Sequence, residues 1–373
     1  MSLILPGSDD WEDAPDAAGV APDLLAGAPF GTAVGSLPGG GAGGGSSAAE
    51  DAVAYREAVK AVLGTLGEGS LAPLPELPGR SAYARMIGRT LGAVRAVDAD
   101  LQPAGWRLTG TDGAPGLDQR RARSLLAQDL DAVEELGQGF SGVVKTQLVG
   151  PWTLAATVEL PRGEKVLSDH GARRDLGGAL AEAVGEHVAD LRRRLPDAAG
   201  IVVQLDEPSL PAVMNAQVPT ASGYQRYRRI DRPEVSALLE TVTAAVSAAG
   251  AEPWVHSCAR GVDWALVRGA GVRGLLVDAA MLTTADHDLL AEALEAGDAV
   301  VLGIVPSTDP DPWPSDARLV QRVERWLDML GLEPSSGRLG VSPGCGLAGA
   351  SPAWSRRAMQ LSASVAHDLA HLG

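Results

Sequence analysis

The sequence predicts an α/β fold, eight parallel strands closed into a TIM-type (β/α)8 barrel, and three observations carry that prediction. The chain has 373 residues, more than an ordinary single domain but within the range of one barrel with extended loops. Short apolar runs of strand length alternate with longer segments of helical period, which is the pattern of repeated βα units. No Gly-x-Gly-x-x-Gly leads from a strand into a helix, so the rival, an open doubly wound sheet, loses its nucleotide-binding support.

Residues 1–30 are acidic and rich in Ala, Pro and Gly, with no sustained apolar period, and read as a flexible arm outside the core. Residues 31–373 then form a single barrel domain. Its first apolar run is 33–36, followed by the low-complexity stretch Gly39–Ser47, a flexible loop leading to the first helix. The remaining strand-length runs fall at 104–109, 142–149, 200–206, 252–257, 273–278, 299–305 and 338–342. Helical period marks 172–196, 232–249, 284–296, 315–330 and 353–371. In the first of these, Leu176, Leu180, Val184, Val188, Leu191 and Leu195 recur at steps of three or four and make one apolar stripe for a sheet to cover.

Composition narrows the function. Hydrophobic residues make up 45% of the chain, enough for a large core without staples. The formal charge of −16 sets the chain against phosphate backbones and anionic membrane surfaces, so neither nucleic acid nor membrane is expected as a partner. The N-terminus lacks the basic and long apolar regions of a secretory signal, and no stretch is long enough to span a bilayer. A soluble cytoplasmic protein is expected. Two cysteines, Cys258 and Cys345, are too few for a disulfide scaffold.

In a barrel of this kind chemistry gathers where the strands end. The run Glu252-Pro-Trp-Val-His256-Ser-Cys258 places an imidazole and a thiol two residues apart, on one side of an extended strand. The eighth run ends Val341-Ser-Pro-Gly-Cys345, bringing the other thiol to the same mouth. One imidazole and two thiolates suit zinc, and their spacing is that of an open catalytic site rather than a finger. Taken singly, each cysteine is as well explained as a small buried hydrophobe and the histidine as a satisfied core residue. Asp278 closes the sixth run and is either a fourth ligand or an ordinary strand-end carboxylate or helix cap. Asp206-Glu207-Pro208 sets two carboxylates at a strand end, one of which should enter the mouth and can pair with an ammonium group. Lys145, one of three lysines, begins Lys145-Thr-Gln147-Leu-Val-Gly150-Pro151-Trp152-Thr153 on the third run.

These motifs resemble those of cobalamin-independent methionine synthase, in its catalytic barrel and in the short single-barrel homologues. Val34-Gly35-Ser36-Leu37-Pro38 resembles the family's Ile-Gly-Ser-Phe-Pro, Asp206-Glu207-Pro208 its Asp-Glu-Pro, His256-Ser-Cys258 its His-x-Cys zinc pair, and Pro343-Gly-Cys345-Gly-Leu its Pro-Asp-Cys-Gly-Leu. The Lys145–Thr153 stretch is similar to Lys-Gly-x-Leu-Thr-Gly-Pro-x-Thr, and Glu76 stands near the place of a substrate-binding glutamate. The resemblance implies a zinc methyltransferase that converts homocysteine to methionine. Zinc would be held by His256, Cys258 and Cys345 with Asp278 in place of the family's glutamate, and substrate by Val34, Gly35, Ser36, Glu76 and Asp206.

Two departures shape the remaining expectations. The family's proton-donating histidine has no counterpart, and Thr308 and Asp309 stand near its place. The N-terminal duplicate barrel that helps bind methylfolate is missing too. A methylcorrinoid donor, methylcobalamin or a corrinoid protein, is therefore expected ahead of methyltetrahydrofolate. Rival readings are a zinc methyltransferase for another thiol such as coenzyme M, a metal-free decarboxylase of the uroporphyrinogen type with an arginine-rich cleft, and a non-catalytic barrel that binds zinc or homocysteine.

Overall fold

The structure, a computed structural model, describes residue 25 and residues 27–40, 47–67, 69–109, 116–335 and 337–372. Most of the acidic arm and residues 41–46 of the glycine-rich run lie outside the described residues. Among the described residues ten strands are present: β1 (Phe30–Gly31), β2 (Leu71–Pro73), β3 (Ala99–Gln102), β4 (Gly105–Leu108), β5 (Val143–Val149), β6 (Gly200–Asp206), β7 (Glu252–Ser257), β8 (Gly274–Asp278), β9 (Ala299–Val305) and β10 (Arg338–Pro343). Eight of them form one parallel sheet in the order β1-β10-β9-β8-β7-β6-β5-β2. The two end strands meet beyond their ladders, where Glu76 N donates to Gly35 O at 3.0 Å and Leu37 N to Glu76 O at 2.8 Å. Those bonds close the seam, and the expected barrel is the fold.

The last six strands lie where the apolar runs place them, because each is buried along nearly its whole length and is anchored by a run of apolar residues. The first two strands differ from expectation. The ladder of β1 ends at Gly31, and the motif at 34–37 continues past it as a segment of the mouth. The run at 104–109 is not a barrel strand. It forms the antiparallel hairpin β3–β4 outside the barrel, registered Ala99 to Leu108, with only Ala99 and Trp106 buried. Such one-sided burial suits a surface ribbon, whereas a barrel strand is covered on both faces. The true second strand, Leu71–Pro73, has three residues, and Pro73 and Pro75 punctuate it, so no periodic signal marks it.

Helices cover the outside, and the five with strong sequence period sit at His170–Arg194, Arg232–Ala248, Thr284–Glu295, Asp316–Leu330 and Pro352–Ala370. Asp169, Asp231, Ser315 and Ser351 each cap a helix by accepting from a first-turn amide. All six residues of the Leu176–Leu195 stripe are buried in the larger apolar core. Among the described residues no helix is long and apolar enough to cross a membrane.

Two apolar clusters divide the work. The larger lies between sheet and helices, and the smaller, with Phe30, Leu71, Val143, Val202, Trp254, Leu276 and Val301, fills the barrel. Trp254 is fully buried there, tilted against Phe30 with ring centroids 6.0 Å apart, and its ring occupies the space that a side chain at Gly274 would need. Its indole N–H donates to Glu252, which also holds Arg338 at 2.6 Å. This plug is the floor on which the polar end of the barrel rests.

Candidate active site

Strand alternation carries the inward faces from apolar to polar within a few residues. On β5 the sequence runs Val143, Lys145, Gln147, on β6 Val202, Gln204, Asp206, and on β7 Trp254, His256. Register then sets Asp206 beside His256 and Gln147 beside Gln204. Above the plug opens a cleft of about 450 Å³ lined by Val34, Ser36, Glu76, Asp206, His256, Cys258 and Cys345, together with Gln147, Arg85, Met86, Pro78, Pro208 and Gly346.

His256 is buried, and its Nδ1 lies 3.0 Å from the Leu276 carbonyl oxygen. A carbonyl can only accept, so Nδ1 carries the proton and Nε2 keeps its lone pair for the cleft. Burial holds this imidazole neutral, its pKa down at about 4, and the nearby Lys145 charge adds to the effect. Cys258 and Cys345 approach from opposite sides of the mouth with Cα atoms 5.7 Å apart and their sulfurs in bonding contact. The donor atoms of His256, Cys258 and Cys345 all lie within 4.8 Å of one another. As reduced thiols the two sulfurs complete, with Nε2, a soft donor set that fits zinc.

The other end of the cleft carries Ser36, Glu76 and Asp206. Gly35 has φ +139°, and a side chain there would strike Gln147, so only glycine lets this turn lie against β5. Ser36 faces Gly346, and its carbonyl accepts from Leu347 N at 2.8 Å, which ties the turn after Cys345 to the Val34–Ser36 segment. Asp206 enters the cleft. Burial pushes its carboxyl well up, Glu76 beside it adds to the rise, and the Gln204 hydrogen bond and Lys145 charge oppose it. Glu76 is also pushed up by burial, against Arg89 and Lys145. Arg89 Nε stands 3.4 Å from Glu76 and is itself held by Asp129, which also takes Arg80.

Of the adjacent carboxylates, Glu207 turns the other way. It accepts from Trp152 N, Thr153 N and Thr153 Oγ1 at 2.7–2.9 Å and caps the short helix Pro151–Thr157. Asp278 lies outside the three-donor group. Its Oδ1 accepts from Ala280 N at 2.9 Å, and its carboxylate packs under Gly344. Thr308 and Asp309 do not line the cleft, and Asp309 instead binds Ser351 N at 2.7 Å at the start of the last helix. Sequence reasoning overlooked Arg85, Met86 and Gln204. The first two lie on and before the helix Met86–Ala93, which follows the unrecognised strand. Gln204 had a visible signal, a polar residue inside an apolar run two places before Asp206.

Comparison with known proteins fits this geometry. The model of the catalytic domain of cobalamin-independent synthases matches residues 140–368, more than half of the chain. The chain belongs to that family. It is thus a methyltransferase of the methionine-synthase type. No curated protein matches the chain. A B12-independent methionine synthase from Shewanella sp. W3-18-1, solved in complex with selenomethionine, is similar in fold at TM-score 0.60 and 14% identity, covering 92% of this chain and 98% of that one. The carboxyl transferase domain of Rhizobium etli pyruvate carboxylase matches 64% of this chain and 43% of its own at 12% identity, with a TM-score of 0.25 that bears on nothing here.

Proposed function

We propose that this cobalamin-independent synthase transfers a methyl group to the thiol of homocysteine, forming methionine, with zinc held by His256, Cys258 and Cys345. The observation that carries the reading is the meeting of these three soft donors with Asp206, Glu76 and Ser36 in one cleft. When bound there, zinc supplies the means to keep a substrate thiol deprotonated at neutral pH. The methionine analogue bound to the Shewanella relative is the type of ligand such a cleft would hold.

The remaining work falls to the chain's own groups. Asp206 and Glu76 receive the substrate ammonium, which restores the charge that burial of two acids disfavours. Ser36 orients the carboxylate, and Val34, Pro78, Met86 and Pro208 keep the reacting face dry. Fixing the amino-acid end directs the sulfur at the methyl carbon. The S–C bond forms as the bond from carbon to the donor breaks, and the donor keeps the electron pair. Asp278, at the end of β8, is our candidate for a fourth ligand. A dithiol site needs a reducing compartment, which favours the cytoplasm.

The family's independence of cobalamin weighs against the corrinoid donor expected from the short homologues. The metal-free decarboxylase reading loses support because, among the described lining residues, Arg85 is the sole arginine. The test is zinc quantification on protein purified under reducing conditions, followed by homocysteine methylation with methyltetrahydrofolate and methylcobalamin in parallel. Stoichiometric zinc and methionine formation from either donor are expected. Zinc-free protein that still forms methionine would overturn the proposed site, and zinc protein inactive with homocysteine but active on coenzyme M would overturn the acceptor.

A further inference from the structure

The carbonyl oxygen of Val34 accepts three side-chain donors, Lys145 Nζ at 2.8 Å, Gln147 Nε2 at 3.1 Å and Gln204 Nε2 at 3.1 Å. Gln204 Nε2 also donates to Asp206 Oδ1 at 2.7 Å, while its Oε1 accepts from Lys145 Nζ. The amide orientation of Gln204 is unambiguous, since an ammonium can only donate and a carbonyl can only accept. Lys145 itself is fully buried and does not line the cleft. Burial pulls the pKa of the Lys145 ammonium down to about 7, opposed by the charges of Asp206 and Glu76, and its hydrogen bonds to the Val34 carbonyl and to Gln204 are what compensate it in the barrel interior.

We propose that Lys145 is a positioning residue for substrate recognition: through Gln204 it aims the Asp206 carboxylate, and through Val34 O it fixes the Val34–Ser36 segment that faces the same ligand. The inference rests on the homocysteine reading above. It differs from a purely structural role in what it predicts, because removing the ammonium takes away the donor that anchors Gln204 Oε1 and so loosens the amide that orients Asp206. Recognition of the substrate amino group should then fail while the metal site, on other strands, stays intact.

The test compares two thiols, L-homocysteine and 4-mercaptobutanoate, which lacks the amino group, by calorimetric titration of the zinc-loaded full-length protein. Wild type should prefer homocysteine. In Lys145→Met, chosen for similar volume, that preference should drop by about ten- to a hundredfold, the usual worth of a hydrogen bond to a charged group. Affinity for 4-mercaptobutanoate and zinc content should stay the same. Gln204→Met, which breaks the relay while leaving Lys145 its bond to the Val34 carbonyl, should give the same selective loss and serves if Lys145→Met does not fold. Retention of the wild-type preference in either folded variant would overturn the proposal. A wild type with no preference for homocysteine would overturn the amino-acid acceptor itself, and this inference with it.

Discussion

Replacing Asp206 by Asn tests the substrate end of the cleft most cleanly, because the change removes a charge and keeps the shape. The Asn Oδ1 can still accept the 2.7 Å bond from Gln204, so the strand end and its relay should persist. What goes is the pairing of a buried carboxylate with the substrate ammonium. A hydrogen bond between charged groups in a protein contributes about 1.5–3 kcal/mol. Bare Coulomb attraction at about 4 Å and an effective dielectric near 20 would be about 4 kcal/mol, but the desolvation that raises the Asp206 carboxyl offsets part of it. The lower range therefore governs, and the KM for homocysteine should rise by about ten- to a hundredfold at about 1.4 kcal/mol per decade. If the thiol is activated at the proposed metal end of the cleft, kcat at saturation and zinc content should change little. The assay is steady-state methionine formation over a range of homocysteine concentrations, with metal analysis of the same preparation. An unchanged KM, or loss of zinc along with activity, would refute the division of the cleft into an amino-acid end and a metal end.

Three further outcomes are expected. Cys258→Ala and Cys345→Ala should each abolish stoichiometric zinc, measured by elemental analysis under reducing conditions, whereas the same measurement on Asp278→Ala decides whether that carboxylate ligates. His187 is buried with Nε2 2.9 Å from Thr146 Oγ1, and burial holds its pKa down at about 4. The unfolded chain binds the extra proton between about pH 6.5 and 4, so stability should fall as pH drops through that window, by on the order of 3 kcal/mol; a urea titration series in which His187→Leu shows no shallower slope would speak against it. Glu207→Ala strands two amides and a hydroxyl at the start of the Pro151–Thr157 helix, with an expected loss of about 3 kcal/mol in a denaturant midpoint experiment.

Much of the molecule was legible in the chain. A parallel barrel strand is covered on both faces, so β5 to β10 are anchored by runs of apolar residues, and their polar successors Asp206, His256, Cys258 and Cys345 stand out against them. The Leu176–Leu195 stripe is equally plain, since helical spacing alone decides which residues meet the sheet. The second strand was lost because three residues and two prolines leave no period to read. The run at 104–109 took its place because local apolarity does not tell a half-covered ribbon from a barrel stave.

The sequence by itself determined the architecture and the chemistry available at the mouth, because strand and helix periodicity and donor types are properties of neighbours along the chain. Only the tertiary structure decided that Asp206 enters the cleft while Glu207 caps a helix, that Asp278 sits outside the three-donor group, and that Lys145 grips the Val34 carbonyl across a sequence separation of 111. The reason is barrel closure. Which strand-end groups face one another depends on register and on the bond between Gly35 and Glu76 across the seam, and those distances do not exist until the sheet has curled back on itself.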